Sequence, residues 1–249
     1  MTPLEMLTCQ TEVLDGLVDQ VESLSRRGIS PVVVFDLDDT LLSTDQRHIR
    51  ILREFATQAS VRSRYLKDAW SLIQIEPCLL HYCITQTAER AGVLDPEILK
   101  ELREFWFARF FSNDYIKDDQ ATPGAADYCQ ELFARGATIV YLTGRDETMR
   151  EGTLFALLRN GFPMPGASGV VLILKPRFDM PDFDYKANCL RRIEGMGPVA
   201  GGFENEPAHI NLLHEAFPNS RMIFMESKHS GKPVTPHPKI ARIKNFIRG

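Results

Sequence analysis

Four consecutive apolar residues, Val32-Val33-Val34-Phe35, break directly into Asp36-Leu37-Asp38-Asp39-Thr40. A strand with one wet face alternates polar and apolar residues. A strand without alternation is buried on both faces, as in a parallel sheet covered by helices. Carboxylates immediately after such a strand lie at its carboxyl end, the edge where open parallel sheets bind ligands. No other segment restricts the possible folds of this chain as strongly.

The same pattern repeats downstream. Apolar runs at 138–142, 170–174, 198–203 and 221–225 predict further strands, with helical patterns at 125–134, 147–159, 186–193 and 207–216. Strands alternating with helices at this spacing predict an α/β fold, a Rossmann-like parallel sheet with helices on both faces. Before the first strand, Leu4, Leu7, Leu14, Leu17, Val18, Val21 and Leu24 recur at helical steps, and Gly28 stops them. Residues 46–120 read as helical throughout, with no strand; Asp95-Pro96 supplies an N-cap and an N1 proline. The expected organisation is therefore a core from 1–45 and 121–249, with 1–28 as a helix packed on it, and an inserted all-helical unit at 46–120.

Composition narrows the function. The chain has 249 residues, 44% hydrophobic and 25% charged, which excludes disordered and collagenous classes. No apolar run approaches the ~18 residues of a membrane span. A net charge of −4 is too mild to argue for a nucleic-acid or membrane partner. Residues 228–249 hold six Lys/Arg and no acid, which reads as a solvated basic tail. Five scattered cysteines without a Cys-x-x-Cys pair suit neither zinc nor a disulfide framework, and the acidic start does not read as a signal peptide. A cytoplasmic location is the expectation. Nothing in the pattern speaks to oligomeric state.

Residues directly after the predicted strands converge on one edge. They are Asp36 and Asp38, then Thr143-Gly144-Arg145, then Glu204-Asn205; Lys186 is expected to open the helix before the last of these strands. Two carboxylates two residues apart repel unless a cation or shared proton relieves them. An oxygen set of Asp36, Glu204 and a backbone carbonyl suits Mg²⁺. Thr143 and the amides near Gly144 can donate to phosphoryl oxygens at a helix N-terminus, and Lys186 offsets their charge. Lys175, after the 170–174 strand, is the rival phosphate binder. A carboxylate can attack phosphorus, and a second can move the protons of the leaving oxygen and the attacking water.

Asp36-x-Asp38-x-Thr40, Thr143, Lys186 and Glu204, in that order, resemble the four motifs of the haloacid-dehalogenase-like (HAD) phosphohydrolases. The resemblance covers roughly residues 29–45 and 121–227. It implies a HAD-like core with a helical C1-type cap over the site. It also implies Asp36 as nucleophile, Asp38 as general acid and base, and Thr143, Gly144 and Lys186 on the phosphate. Mg²⁺ is implied on Asp36, the Asp38 carbonyl and Glu204. Glu204 stands where the pattern has Asp, and Asn205 follows instead of a second acid. Thr40, Arg145 and Asn205 are expected as supporting residues. The expected activity is a Mg²⁺-dependent phosphatase acting on a small phosphorylated metabolite, a nucleotide being compatible. A phosphotransferase of the same chemistry and a weakly catalytic phosphate-binding module are the alternatives. The reading asks for an ion, not a lysine, between Asp36 and Glu204. Trp106, Phe107, Phe110 and Phe111 read as cap core in preference to a substrate-facing wall, and His229 as a bystander.

Overall fold

In the computed structural model, which describes residues 3–249 with side chains from Cys9 onward, β1 (Val32–Phe35) lies inside a six-stranded parallel sheet. Its partners are β4 (Thr138–Asp146), β5 (Val170–Lys175), β6 (Val199–Glu204), β7 (Arg221–Met225) and β8 (Ala241–Ile243), in the order β5-β4-β1-β6-β7-β8. All four β1 residues are buried. Val33 and Phe35 face a core formed with α1 (Pro3–Arg26), α8 (Ala125–Ala134) and α9 (Arg150–Arg159). Val32 and Val34 face α10 (Asp182–Glu194), while α11 (Pro207–Ala216) covers β7 on that side. The missing alternation in the sequence thus has its cause in helices on both faces. Because the chain leaves β1 toward β4 on one side and β6 on the other, a crevice opens at the carboxyl ends.

The insertion is helical as expected: α2 (Asp45–Thr57), α3 (Ala59–Arg64), α4 (Leu66–Ile73), a 3-10 turn (Pro77–Leu79), α5 (Ile84–Arg90), α6 (Pro96–Phe110) and α7 (Asn113–Ile116). It has its own core, built on Leu52, Phe55, Leu72, Ile98 and Leu102. Asp95 caps α6 by accepting the Glu97 amide at 2.8 Å. No helix among the described residues is long and apolar enough to cross a membrane.

Several elements differ from the sequence reading. A two-residue antiparallel ladder, β2 (Leu42–Ser43) with β3 (Gln120–Ala121), ties the two ends of the insertion together. Two residues carry no period, so no pattern marks them. β8 lies in the basic tail read as solvated surface; Ile243 is buried, and Phe246 packs 5.2 Å from Phe203. The α10 helix starts at Asp182, so Lys186 sits one turn inside it. β4 continues to Asp146 and takes in Thr143, Gly144 and Arg145 as strand, with a 3-10 turn (Glu147–Met149) before α9. In α1, Leu14, Leu17, Val18 and Val21 enter the core; Leu4 and Leu7 lie outside the described side chains.

β6 brings α1 close to the sheet through Gly201. A Cβ there would stand 2.8 Å from the Arg221 carbonyl and 2.9 Å from Leu17 Cδ1. Gly201→Ala is expected to destabilise the fold by about 1–3 kcal/mol, the usual range for overpacking, read from the urea midpoint. An unchanged midpoint would contradict this close approach.

Candidate active site

The strand pairing Phe35↔Phe203 sets Asp36 and Glu204 side by side at the ends of β1 and β6. The Asp36 amide continues the ladder by donating to Phe203 O at 3.0 Å. From α10, the Lys186 ammonium reaches between them, donating to Asp36 Oδ1 at 2.7 Å and Glu204 Oε2 at 2.6 Å. All three side chains are 8% exposed or less. Glu204 Oε1 accepts the amides of Asn205 (3.1 Å) and Glu206 (3.0 Å). Burial, with Glu204 as a second cause, pushes the Asp36 carboxyl up to about 7 against the pull of Lys186. The two acids beside Lys186 outweigh its desolvation and raise its pKa.

Asp38 belongs to a different cluster. Arg145 from β4 donates to it through Nη2 (2.7 Å) and Nε (3.1 Å), and Arg47 from α2 through Nη2 (3.0 Å). Both arginines also hold Asp119, which is fully buried. Burial opposes ionisation of Asp38, but Arg145 and Arg47 win and hold it well below the usual carboxylate range. Asp39, at φ 56, turns the chain back toward the insertion. Its Oδ1 accepts the Thr44 amide and hydroxyl, and Lys228 bridges it to Asp45. The Thr40 hydroxyl donates to Asn205 Oδ1 at 3.2 Å, and the Asn205 amide donates to the Lys228 carbonyl. Thr40, Arg145 and Asn205 therefore all brace the first strand's loop.

These groups line one cavity, of about 210 Å³, roofed by the insertion. Asp36, Asp38, Gly144, Arg145, Lys186, Glu204 and Asn205 reach it, as do Arg47, His48 and His209. Thr143 does not. It is fully buried, and its hydroxyl accepts the Arg145 amide at 3.2 Å. Nor does it stand at a helix N-terminus, since β4 runs past it. Lys175, the rival phosphate binder, donates to Asp182 at 2.7 Å and stays off the cavity wall. Arg47, Asp119 and His209 were missed by sequence reasoning. Arg47 sits in an ordinary helical pattern and Asp119 in a turn, and only the fold brings them to Asp38.

The gap between Asp36 and Glu204 holds the lysine, so the ion expected there has no room between those two carboxylates. The set nevertheless suits a hard cation. Asp36 Oδ2 accepts no protein hydrogen bond, and neither does the Asp38 carbonyl, among the described residues. The cavity wall also carries six carboxylates against three cationic side chains, and with Lys175 and Lys228 pairing Asp182 and Asp39 from behind it an excess of one carboxylate remains for a bound cation to offset. No cluster of three His, Cys, Asp or Glu side chains is arranged to hold a metal among the described residues. A backbone carbonyl must complete the donors.

No protein-family model matches the chain, and no curated protein matches it. Solved structures do. A candidate phosphatase from Clostridium difficile superposes with a TM-score of 0.52 at 14% identity, over 82% of this chain and 89% of that one. A HAD hydrolase of family IA from Entamoeba histolytica gives 0.47 at 16%, over 87% and 93%. A haloacid-dehalogenase-like protein from Streptococcus pneumoniae gives 0.48 at 12%, over 84% and 95%.

Because Asp36 protonates more readily folded than unfolded, its contribution is present at low pH and is lost as pH rises from its ordinary value of 3.8 through about 7. Without divalent ions, Asp36→Asn is expected to raise the melting temperature at pH 8 and to change it little at pH 4. A difference that is the same at both pH values would refute the buried, electrostatically crowded Asp36.

Proposed function

We propose that this chain, whose motifs resemble those of the haloacid-dehalogenase-like phosphohydrolases and whose fold superposes on a candidate phosphatase, hydrolyses a small phosphomonoester through a phosphorylated Asp36. The observation that carries the reading is the meeting of Asp36, Asp38, Arg145, Lys186 and Glu204, drawn from four distant segments, around one roofed cavity at the sheet's carboxyl edge. Asp36 Oδ2 is the open nucleophile, while Lys186 anchors Oδ1 and orients the carboxylate. Its oxygen bonds to phosphorus as the ester P–O bond breaks, and the leaving oxygen departs as the anion and takes its proton from solvent. Water then attacks the same phosphorus, the Asp36–phosphorus bond breaks, and inorganic phosphate leaves.

Asp38 is the proton carrier of this scheme. Held ionised by Arg145 and Arg47, it is ready to take a proton from the attacking water. The same arginines oppose its protonation for the first step, so poor leaving groups are disfavoured. Mg²⁺ would be held by Asp36 Oδ2 and the Asp38 carbonyl, with Glu204 joining them only where Lys186 gives up its Oε2, and when bound would supply charge that offsets the phosphoryl oxygens. Gly144 lets the Asp182 carboxylate approach the end of β4; a Cβ there would stand 2.9 Å from its oxygen.

A phosphate-binding module without turnover is the second reading. It is favoured by the lysine wedged between Asp36 and Glu204 and by the ionised Asp38. Assay with 4-nitrophenyl phosphate and Mg²⁺ separates the two. Hydrolysis is expected, lost in Asp36→Asn and reduced about 10²–10⁴-fold in Asp38→Asn. No turnover by the wild-type chain, with inorganic phosphate still bound in calorimetry, would favour the second reading. Glu204→Ala is expected to raise the Mg²⁺ concentration needed for half-maximal rate; an unchanged requirement would remove Glu204 from the ligands.

A further inference from the structure

We infer that the part of the cavity beyond the phosphate position takes a single aromatic ring, making the substrate a small phosphomonoester with a monocyclic aromatic body. This rests on the phosphoester reading above. The helix α6 buries Ile98 and Leu102 in the insertion's core, with Leu99, Phe105 and Trp106 packed against it. Trp106 and Phe110, from its last turns, and Phe111, just past its end, are only partly buried and line the cavity. Trp106 and Phe111 thus serve a core on one side, as expected, and the cavity on the other. They form a continuous wall: Trp106 and Phe110 stack at 4.5 Å, and Phe111 meets Phe110 edge-on at 5.0 Å. His48 extends it, 4.7 Å from Phe110, and accepts the Trp106 indole N–H at Nδ1. Burial and the neighbouring Arg47 push His48 down to about 3, so the imidazole is neutral, while the Arg47 guanidinium lies 4.4 Å from the Phe110 ring centre.

The wall is also held from the core side. Phe178, in the loop after β5, contacts Phe111 at 4.9 Å and Phe107 at 5.6 Å. Rings locked by other rings offer flat, low-entropy contact surface to another ring. Size sets the limit. A cavity of about 150 Å³ lined by apolar side chains holds benzene, and drug-sized ligands occupy about 300–1,000 Å³. The 210 Å³ here accommodates one ring and a phosphoryl group. A nucleotide, compatible with the sequence alone, would have to extend beyond it.

Calorimetry on the full chain with Mg²⁺ tests this using phosphonates, which bind without being hydrolysed. Benzylphosphonate is expected to bind about tenfold or more tighter than methylphosphonate, and about threefold or more tighter than cyclohexylmethylphosphonate. Trp106→Leu, which keeps apolar volume, should erase most of the advantage over the cyclohexyl compound. If methylphosphonate binds and benzylphosphonate binds no tighter, the ring site is wrong and the phosphate site stands. Equal affinity for the benzyl and cyclohexylmethyl compounds also overturns the aromatic assignment. If none binds, the phosphoester reading fails and this inference fails with it.

Discussion

Asp36, Lys186 and Glu204 are ionisable groups held almost out of water, and the lysine is what lets two acids share the site. Losing Lys186 would leave those acids without a counter-charge, at a cost of about 3–5 kcal/mol. The arrangement needs β1 and β6 paired in register, so that Asp36 and Glu204 end adjacent strands, and it needs α10 to project Lys186 across both. Sheet order and site chemistry are therefore one constraint. A change of register would separate the acids and strand the lysine.

A second group of alternating charges joins the insertion to the core. Arg47 on α2 and Asp119 just before β3 come from the two hinge segments of the insertion, and both enter the cluster around Asp38. Arg47 is 1% exposed, an unusual place for an arginine. Its guanidinium also lies 4.4 Å from the Phe110 ring centre. One side chain thus touches Asp38, Asp119 and the aromatic wall. The position of the insertion bears on the ionisation of Asp38, because Arg47 from α2 joins Arg145 from the core in holding it.

Much of this architecture was legible in advance. The unalternating run before Asp36 reads as a doubly covered strand because burial on both faces removes polar positions, and the repeated strand–helix spacing extends that to the sheet. Asp36, Asp38, Lys186 and Glu204 were visible as chemistry-bearing residues at strand or helix ends. What stayed hidden has no local signature. The β2–β3 ladder is too short for a period. β8 is masked by the basic residues around it. Trp106, Phe110 and Phe111 have the composition of a core, and only the path of α6 over the cavity turns them toward it.

Residue pattern alone was enough for the parallel sheet, the helical insertion and the edge where the acids gather, because hydrophobic periodicity and strand-end position are local properties. Folding decided which charge meets which. Lys186 bridges two carboxylates, two arginines from different segments hold Asp38, and Thr143 turns away from the cavity. Two of these pairings, Lys186 with Asp36 and Arg145 with Asp38, join residues more than a hundred positions apart, and hydrophobic periodicity encodes none of them.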